Sequence, residues 1–321
     1  MGTTAAWVRR PAQTAVPLSI TLLAVLGAST PGCPPLATPP PSTALDEPGP
    51  YGIASYDYFY STTFGLVQST ITSPTSSEAA PYPAVVMAPG YCAIAGWQTW
   101  VGKHLASHGY VVLTFTDPTF CSSTEYGQDV GMEAGFDVLA AEASTPGRPI
   151  FGLVDIVRRA TIGHSMGAGT AAKVSTTDAA VLAAVMMGGG GLGEPLVSEI
   201  SAPLLLMAGD LDCQAGYLND LSTYGVLAGV PKQVVVIAGA NHSGFTDEGS
   251  LGDVLGPSLG DCPRTIEVED HQHRLARRYF TAWLDHFVKG QDDALGYLGG
   301  AGAESDLASG LLSHMQADLG G

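Results

Sequence analysis

A serine between two glycines is the strongest chemical signal in the sequence. Residues 163–167 read Gly-His-Ser-Met-Gly, which fits the G-x-S-x-G pattern, after a brief apolar run and before a helical segment of small residues. In that setting the serine lies on a sharp strand-to-helix turn, with its hydroxyl projecting from the top of a sheet. The glycines let neighbouring backbone pass without side-chain clashes. A chance glycine-rich turn is the alternative, but the context predicts Ser165 as a nucleophile.

A serine hydroxyl needs a base to take its proton and an acid to orient that base. On a turn of this kind both follow the serine along the chain, at the ends of later strands. His242 follows the apolar run 233–238, and we predict it as the base. The run 203–208 is followed by Gly-Asp-Leu-Asp, so Asp210 and Asp212 are both candidate acids. Asp212 is favoured because it lies further out along the loop, where its side chain can turn toward the histidine. If Asp210 is not the acid, it is a turn or cap residue.

Acyl transfer also needs backbone N–H groups aimed at the developing oxyanion. One comes from the residue after the serine, which is Met166. The other should come from the loop after the apolar run 84–88, and we predict the amide of Tyr91. The Tyr91 side chain could also form an aromatic rim around the site. We expect both Tyr91 and Met166 to contact the substrate. This chemistry needs no cofactor.

Two other histidines have a spacing that could suit a metal. His104 and His108 lie four residues apart on a predicted helix. A solvent-facing helix explains the same spacing more simply, so we predict no metal site. His164 precedes the nucleophile and is expected to pack beside the turn.

Short apolar strands alternate with helical segments between residues 62 and 290. Strands are predicted at 64–72, 84–88, 110–115, 160–163, 182–187, 203–208 and 233–238, and helices at 98–108, 129–143, 167–174 and 270–288. Wholly apolar strands alternating with helices indicate an α/β protein with a mostly parallel central sheet covered by helices on both faces. We therefore predict a single catalytic domain over residues 51–290, followed by a Gly-rich extension over 291–321.

Composition excludes several classes of protein. Hydrophobic residues make up 45% of the 321 residues, enough for a large core, and charged residues make up 13%. Thirteen basic residues stand against thirty acidic ones, which gives a formal net charge of −17. Nucleic-acid binding needs clustered Lys and Arg, so a nucleic-acid partner is excluded. The same balance argues against electrostatic docking on anionic lipid.

The first thirty residues have the pattern of an export signal. Arg9 and Arg10 precede the apolar residues 16–26, and small residues follow. A membrane anchor is the weaker alternative, because a span needs about 20 apolar residues. Residues 31–50 contain eight prolines and are predicted to form an extended tether.

Cys33 at the start of the tether follows Thr-Pro-Gly, which resembles a bacterial lipoprotein cleavage site. The usual leucine is replaced by Thr30, and Pro31 is also a departure. Lipidation at Cys33 and release as a soluble protein cut near Ala28 or Thr30 both remain open. Either route predicts an exported protein, secreted or lipid-anchored at the cell envelope, and we expect a monomer.

With these motifs in view, the chain resembles bacterial cutinases and poly(ethylene terephthalate) hydrolases. These belong to the wider group of dienelactone-hydrolase-like α/β-hydrolases. The likeness lies in residues 87–91 with 105–110, in 151–155 running into 163–167, and in 280–284. The resemblance implies Ser165 as nucleophile, Asp212 as acid and His242 as base, with the amides of Tyr91 and Met166 at the oxyanion.

Export implies an oxidising compartment, and four cysteines remain beyond Cys33. Their spacing allows three pairings and does not choose among them. In an α/β-hydrolase sheet the strands at 84–88 and 110–115 are neighbours, and the acid loop lies beside the histidine loop. That arrangement implies the pairs Cys92–Cys121 and Cys213–Cys262.

Two departures from the related polyester hydrolases concern the substrate site. Those enzymes carry a tryptophan in the loop after the strand that follows the nucleophile helix, whereas residues 187–192 here read Met-Gly-Gly-Gly-Gly-Leu. The chain is also longer between His242 and Cys262. We predict a serine carboxylic-ester hydrolase acting through an acyl-enzyme on apolar or polyester-type esters. One alternative is a short-chain esterase or lipase without polymer activity. The other, of a different class, is a non-catalytic surface-binding lipoprotein.

Overall fold

A computed structural model describes residues 44–119, 121 and 126–320. The predicted export signal and most of the predicted tether, with Cys33, lie outside the described residues. Within the described part, no helix is both long enough and apolar enough to cross a bilayer.

In the described part of the chain, nine strands form one mixed sheet in the order β1-β2-β4-β3-β5-β6-β7-β8-β9. Strands β3 to β8 run parallel to one another, whereas the pairs β1–β2, β2–β4 and β8–β9 are antiparallel. The strands are β1 (Ile53–Thr62), β2 (Gly65–Pro74), β3 (Tyr82–Ala88), β4 (Val111–Phe115), β5 (Val154–His164), β6 (Val181–Met187), β7 (Leu204–Gly209), β8 (Lys232–Ile237) and β9 (Leu312–Asp318).

Helices cover both faces of this sheet. They are α1 (Thr99–Ser107), α2 (Tyr126–Ser144), α3 (Met166–Thr177), α4 (Leu196–Glu199), α5 (Leu218–Val226), α6 (Leu251–Leu255), α7 (Arg274–Phe287) and α8 (Ala301–Ala308). Short 3₁₀ turns lie at Ala95–Gln98, Ser243–Phe245, Gly256–Leu259 and Leu295–Tyr297, and a π-helical turn at Val268–His273 leads into α7.

The inner strand β3 is buried along its whole length because successive side chains enter two separate cores. In β3, Val85 and Met87 belong to the core that contains residues of α1 and α7. Val86 belongs to the opposite core with Met132 and Phe136 of α2. A strand buried on both faces has a continuous apolar sequence. The parallel pairing of β3 to β8, with helices on both faces of the sheet, confirms the predicted α/β fold.

The order of the strands reverses beside β3. The chain passes from β3 to β4 on one side and returns to β5 on the other. The loops after β3 and β5 therefore diverge and leave a crevice at the carboxyl ends of these strands. Such a reversal is where open α/β sheets bind ligands.

Two predicted boundaries differ from the structure. Residues 291–321 were predicted to form an extension, but β9 lies within them and pairs with β8 from Lys232↔Asp318 to Ile237↔Leu312. The segment is polar and alternating because β9 is an edge strand with one exposed face. β1 at the other edge was also missed, for the same reason.

The end of the predicted tether is also part of the domain. Asp46 is buried and its carboxylate accepts hydrogen bonds from the Arg278 guanidinium of α7 at 2.6 and 3.0 Å. The same guanidinium donates to both carboxylate oxygens of Asp306 in α8 at 2.9 Å. A charge buried this deeply requires paired partners, so the acidic residue in the Pro-rich stretch is drawn against the sheet domain.

This buried cluster gives a testable prediction for stability. Replacing Arg278 with Met should lower the free energy of unfolding by about 3–5 kcal/mol, because the buried guanidinium that donates to both the Asp46 and the Asp306 carboxylates is lost. Denaturation in urea would measure the change. Arg274→Met is the matched control, since Arg274 pairs with the exposed carboxylate of Glu47 and should cost about 1 kcal/mol or less. Equal losses in the two variants would contradict the assignment.

Candidate active site

Ser165 lies alone on the turn between the end of β5 and the start of α3. Its backbone has φ 56° and ψ −122°, a conformation that residues with a side chain rarely adopt. The turn is held by a hydrogen bond from the Ser165 amide to the Met187 carbonyl oxygen at 2.9 Å. Strain of this kind persists where the surrounding structure fixes it, and it is common at functional sites.

The glycines on either side of the turn are required by close backbone contacts. A Cβ on Gly163 would lie 1.8 Å from the Gly167 carbonyl oxygen. A Cβ on Gly167 would lie 2.3 Å from the carbonyl oxygen of Pro89, in the loop after β3. The two glycines of the G-x-S-x-G pattern are therefore required for steric reasons. Without a side chain at Gly167, the loop after β3 can pack against the start of α3.

The predicted acid and base form a hydrogen-bonded pair. His242 Nδ1 lies 2.8 Å from Asp212 Oδ2, and both side chains are almost fully buried. The other carboxylate oxygen of Asp212 accepts hydrogen bonds from the amides of Gln214 and Ala215 at 2.9 and 2.6 Å. Asp212 is thereby fixed as a hydrogen-bond acceptor, so Nδ1 carries the proton and Nε2 is left with its lone pair.

Asp210, the alternative acid, has a different partner. Its carboxylate accepts a hydrogen bond from the amide of Gly239 at 2.7 Å and so joins the loops after β7 and β8. This is the turn role that the sequence analysis gave as its alternative. Of these two aspartates, Asp212 is therefore the one hydrogen-bonded to the histidine.

A cavity of 260 Å³ opens beside Ser165 and His242. Tyr91 lies in its wall, as predicted, and the Tyr91 hydroxyl donates a hydrogen bond to the Cys121 carbonyl oxygen at 2.7 Å. Met166 is the first residue of α3, directly after the serine. The remaining wall comes from the loop after β3, the end of β5, the acid loop and the chain after His242: Gly90, Ala93, Trp97, His164, Gln214, Ser243, Thr246, Gly252, Gly256 and Leu259.

The structure thus brings the predicted nucleophile, base and acid together, and their catalytic roles remain predictions. His164 packs beside the turn as expected. Its Nε2 lies 3.2 Å from the His242 carbonyl oxygen, and the two rings are 4.8 Å apart. Burial lowers the pKa of His164 well below its usual value, and the neighbouring His242 adds to this effect. A neutral His164 can donate to that carbonyl through Nε2–H.

His104 differs from the expectation of a solvent-facing helix. It is buried, with Nε2 2.9 Å from Thr281 Oγ1 and 3.0 Å from the Leu45 carbonyl oxygen. The cause is again the chain before β1, which covers this face of α1. Across residues 44–119, 121 and 126–320, no group of three His, Cys, Asp or Glu side chains is arranged to hold a metal ion.

Asp261 is a site residue that sequence reasoning missed. Its carboxylate accepts hydrogen bonds from the amide and hydroxyl of Ser243, both at 2.8 Å, and from the His242 amide at 3.3 Å. The side chain therefore fixes the backbone of the histidine loop. Its distance along the chain, 19 residues from His242, left no local signal.

The glycine run after β6 lies against the acid–base pair. Gly188 has φ 56°, and a Cβ there would lie 3.1 Å from His242 Nδ1 and 3.3 Å from Asp212 Oδ2. Further along, Asp220 of α5 accepts a hydrogen bond from the Gly191 amide at 3.2 Å. From the sequence, this run is notable only because it lacks the tryptophan of related enzymes. The structure adds a steric reason for glycine at position 188, where a side chain would crowd the acid–base pair.

Asp220 is fully buried, and among the described residues its Oδ2 has no hydrogen-bond partner. Burial raises the pKa of Asp220 to about 7. The hydrogen bond from Gly191 opposes that rise, and the negative charge of Asp212 adds to it. The Asp220 carboxyl, near the predicted acid Asp212, therefore has a pKa close to neutral pH.

The disulfides implied by the α/β-hydrolase sheet are present: Cys92 is bonded to Cys121, and Cys213 to Cys262. The first joins the loops after β3 and β4. The second joins the acid loop to the chain beyond His242. Both bridges therefore lie between loops at the carboxyl end of the sheet, where the cavity opens.

Residues 35–255, more than two thirds of the chain, match the sequence profile of the PET hydrolase-like family. The chain belongs to that family. It is 32% identical over 165 residues to the bis(hydroxyethyl) terephthalate hydrolase of Streptomyces coelicolor, a match that spans 51% of each protein. Half the length of that relative is thus covered.

Two cutinases match over a longer stretch. The chain is 27% identical over 254 residues, 78% of its length, to cutinase 2 of Thermobifida cellulosilytica and to cutinase cut1 of Thermobifida fusca. The match covers 85% of the first relative and 70% of the second. The resemblance found in the sequence is confirmed, and so, at the level of the family, is a carboxylic-ester hydrolase of the cutinase and PET hydrolase type.

The titration of Asp220 predicts a pH-dependent gain in stability for Asp220→Asn. An unfolded carboxyl has a pKa of 3.8, so between that pH and about 7 the folded protein holds a proton that the unfolded chain has released. Stability therefore falls as pH rises through this interval, and asparagine abolishes the fall while still accepting from Gly191. Thermal unfolding should show a higher Tm for the variant at pH 8 and little change at pH 4.

Thr223→Val is the control for that experiment. Thr223 Oγ1 accepts a hydrogen bond from the Leu192 amide at 2.7 Å, so its loss weakens the same contact between α5 and the loop without removing a titrating group. Its effect on Tm should be alike at pH 4 and pH 8. A gain for Asp220→Asn that is independent of pH would contradict the prediction.

Proposed function

We propose that this protein hydrolyses carboxylic esters through an acyl-enzyme on Ser165. The observation that carries the proposal is that His242, paired with Asp212, lines the same cavity as Ser165. Family membership supports the class of reaction. A non-catalytic binding protein would have no need for a buried carboxylate–imidazole pair beside a serine on a strained turn.

In the first half of the reaction, Ser165 Oγ attacks the ester carbonyl carbon while His242 Nε2 takes the hydroxyl proton. Asp212 accepts the Nδ1–H bond, so it holds the tautomer and stabilises the imidazolium that forms. The tetrahedral oxyanion receives hydrogen bonds from the amides of Met166 and Tyr91. The imidazolium then gives its proton to the departing alkoxide, and an alcohol leaves.

In the second half, water enters and His242 takes one of its protons. The resulting hydroxide attacks the acyl carbon, and the Ser165 oxygen leaves with the proton returned by the imidazolium. The products are a carboxylic acid and the free enzyme. Throughout, the amino end of α3 points its partial positive charge at the oxyanion, because Met166 is the first residue of that helix.

The substrates are neutral apolar esters. The cavity of 260 Å³ is somewhat smaller than the roughly 300–1,000 Å³ of sites for drug-sized ligands, which suits one ester unit at a time. The net charge of −17 disfavours anionic substrates. The names of the relatives point to terephthalate esters and cutin-type esters. A short-chain esterase without polymer activity is the alternative, and release of soluble products from a polyester film separates the two.

The domain organisation and location remain part of this proposal. Residues 1–30 act as an export signal, and the protein is secreted or anchored by lipid at Cys33. The Cys92–Cys121 and Cys213–Cys262 bridges agree with an oxidising compartment. The catalytic domain acts as a monomer. Mass spectrometry of the protein made in a bacterial host reports a diacylglycerol at Cys33 or a cut before it.

The catalytic serine is tested with Ser165→Ala against Ser243→Ala. Both serines line the cavity, so the pair separates the nucleophile from a neighbour. Hydrolysis of p-nitrophenyl acetate and butyrate should fall by about 10⁶-fold in kcat for Ser165→Ala, because no nucleophile remains. A fluorophosphonate probe should label wild type and Ser243→Ala, and leave Ser165→Ala unlabelled. Undiminished turnover by Ser165→Ala would overturn the proposal.

A further inference from the structure

Trp97 lies in the wall of the catalytic cavity, at the end of the loop after β3. Its carbonyl oxygen accepts a hydrogen bond from the Asp247 amide at 2.7 Å, and the Asp247 carboxylate caps α1 through the Thr99 amide at 2.7 Å. The position of this indole is therefore set jointly by the start of α1 and by the chain that follows the histidine loop. The mechanism above gives Trp97 no role.

The chain after the histidine loop, residues 247–262, is called here the histidine-side segment. It is fixed at its far end by the Cys213–Cys262 disulfide and by the hydrogen bonds of Asp261 to Ser243. Within it, Asp253 pairs with Arg264 at 2.5 Å. These contacts hold the segment against the site from both ends.

Glycines let this segment approach the site closely. A Cβ on Gly252 would lie 2.8 Å from Cε3 and 3.0 Å from Cζ3 of the Trp97 ring. A Cβ on Gly256 would lie 2.4 Å from Ser243 Oγ. The segment is thus seated on the indole and on the histidine loop, which limits the orientations that the ring can take.

The segment also brings an apolar side chain to the cavity. Leu259 lines the cavity that contains Ser165, yet 67% of its surface is exposed to solvent. The glycine run after β6 offers no side chain for the same purpose. An exposed leucine and an indole in the wall of one cavity are apolar surface that a ligand group can cover, since burying such area is favourable.

We propose that Trp97 and Leu259 form the specificity wall of this ester site and hold the apolar acyl group of the substrate, larger than acetyl, beside Ser165. The flat indole provides one face for the acyl chain or ring, and Leu259 provides the other. The proposal rests on the proposed function, because it names the part of the substrate that this cavity selects.

The test compares p-nitrophenyl acetate, hexanoate and benzoate, which share a leaving group and differ in the acyl group. Leu259→Ser and Trp97→Ala should each raise KM for hexanoate and benzoate about tenfold relative to KM for acetate. Trp97→Phe keeps an aromatic face and should restore most of the preference. Gly252→Ala should also lower the preference, because the added Cβ displaces the indole.

Matched controls come from exposed residues of like type outside the cavity wall. Leu251 lies on the same segment and is 58% exposed, and Phe64 is an exposed aromatic residue on the β1–β2 turn. Leu251→Ser and Phe64→Ala should leave the acetate-to-hexanoate ratio unchanged. Because Leu259 is exposed, its substitution should not disturb folding, so it serves even where Trp97→Ala is poorly folded.

The outcomes separate the two proposals. If wild type is active, Ser165→Ala is inactive and the Leu259 and Trp97 variants keep the wild-type preference among acyl groups, the wall is refuted and the mechanism stands. Losses that are equal for acetate and hexanoate would also refute the wall. If wild type hydrolyses none of these esters, the proposed function fails first.

Discussion

The steric constraint at Ser165 governs the arrangement of the whole site. Ser165, with φ 56°, lies between β5 and α3. The backbone packs so closely on either side of it that positions 163 and 167 have no room for a Cβ and must be glycine. The same close approach carries the loop after β3 against the start of α3. Since β4 and β5 lie on opposite sides of β3, the crevice opens at this turn, and the serine is presented to it.

Two buried aspartates, Asp212 and Asp220, lie near the crevice, and they differ in how their carboxylates are hydrogen-bonded. Asp212 accepts hydrogen bonds from two backbone amides, and its other carboxylate oxygen contacts His242 Nδ1. Asp220, just behind it, lacks comparable partners, and burial raises the pKa of that carboxyl to about 7. The two aspartates lie eight positions apart and differ in their hydrogen-bond partners, and the raised pKa of Asp220 reduces its negative charge beside the acid–base pair as the pH falls below about 7.

Covalent and ionic links fasten the loops that the sheet leaves free. The Cys213–Cys262 disulfide and Asp261 tie the acid loop, the histidine loop and the histidine-side segment into one unit. Similar logic applies away from the site, where Arg278 binds Asp46 and Asp306 and so joins the chain before β1 to α7 and α8. The site is therefore built on loops whose positions are set by cross-links, on a sheet that supplies rigidity.

The sequence by itself determined the parallel sheet and predicted Ser165 on a strand-to-helix turn and His242 after a later strand, because apolar runs, glycine spacing and chain order can be read directly from it. It offered two candidate acids in one loop and favoured Asp212. Tertiary structure places the Asp212 carboxylate against His242, since the path of that loop decides which carboxylate meets an imidazole 30 residues later. It also decided the polar edge strand β9, the raised pKa of Asp220 and the seat of Gly252 on Trp97. Each of these depends on contacts between segments distant along the chain, for which neighbouring residues carry no periodic or compositional signal.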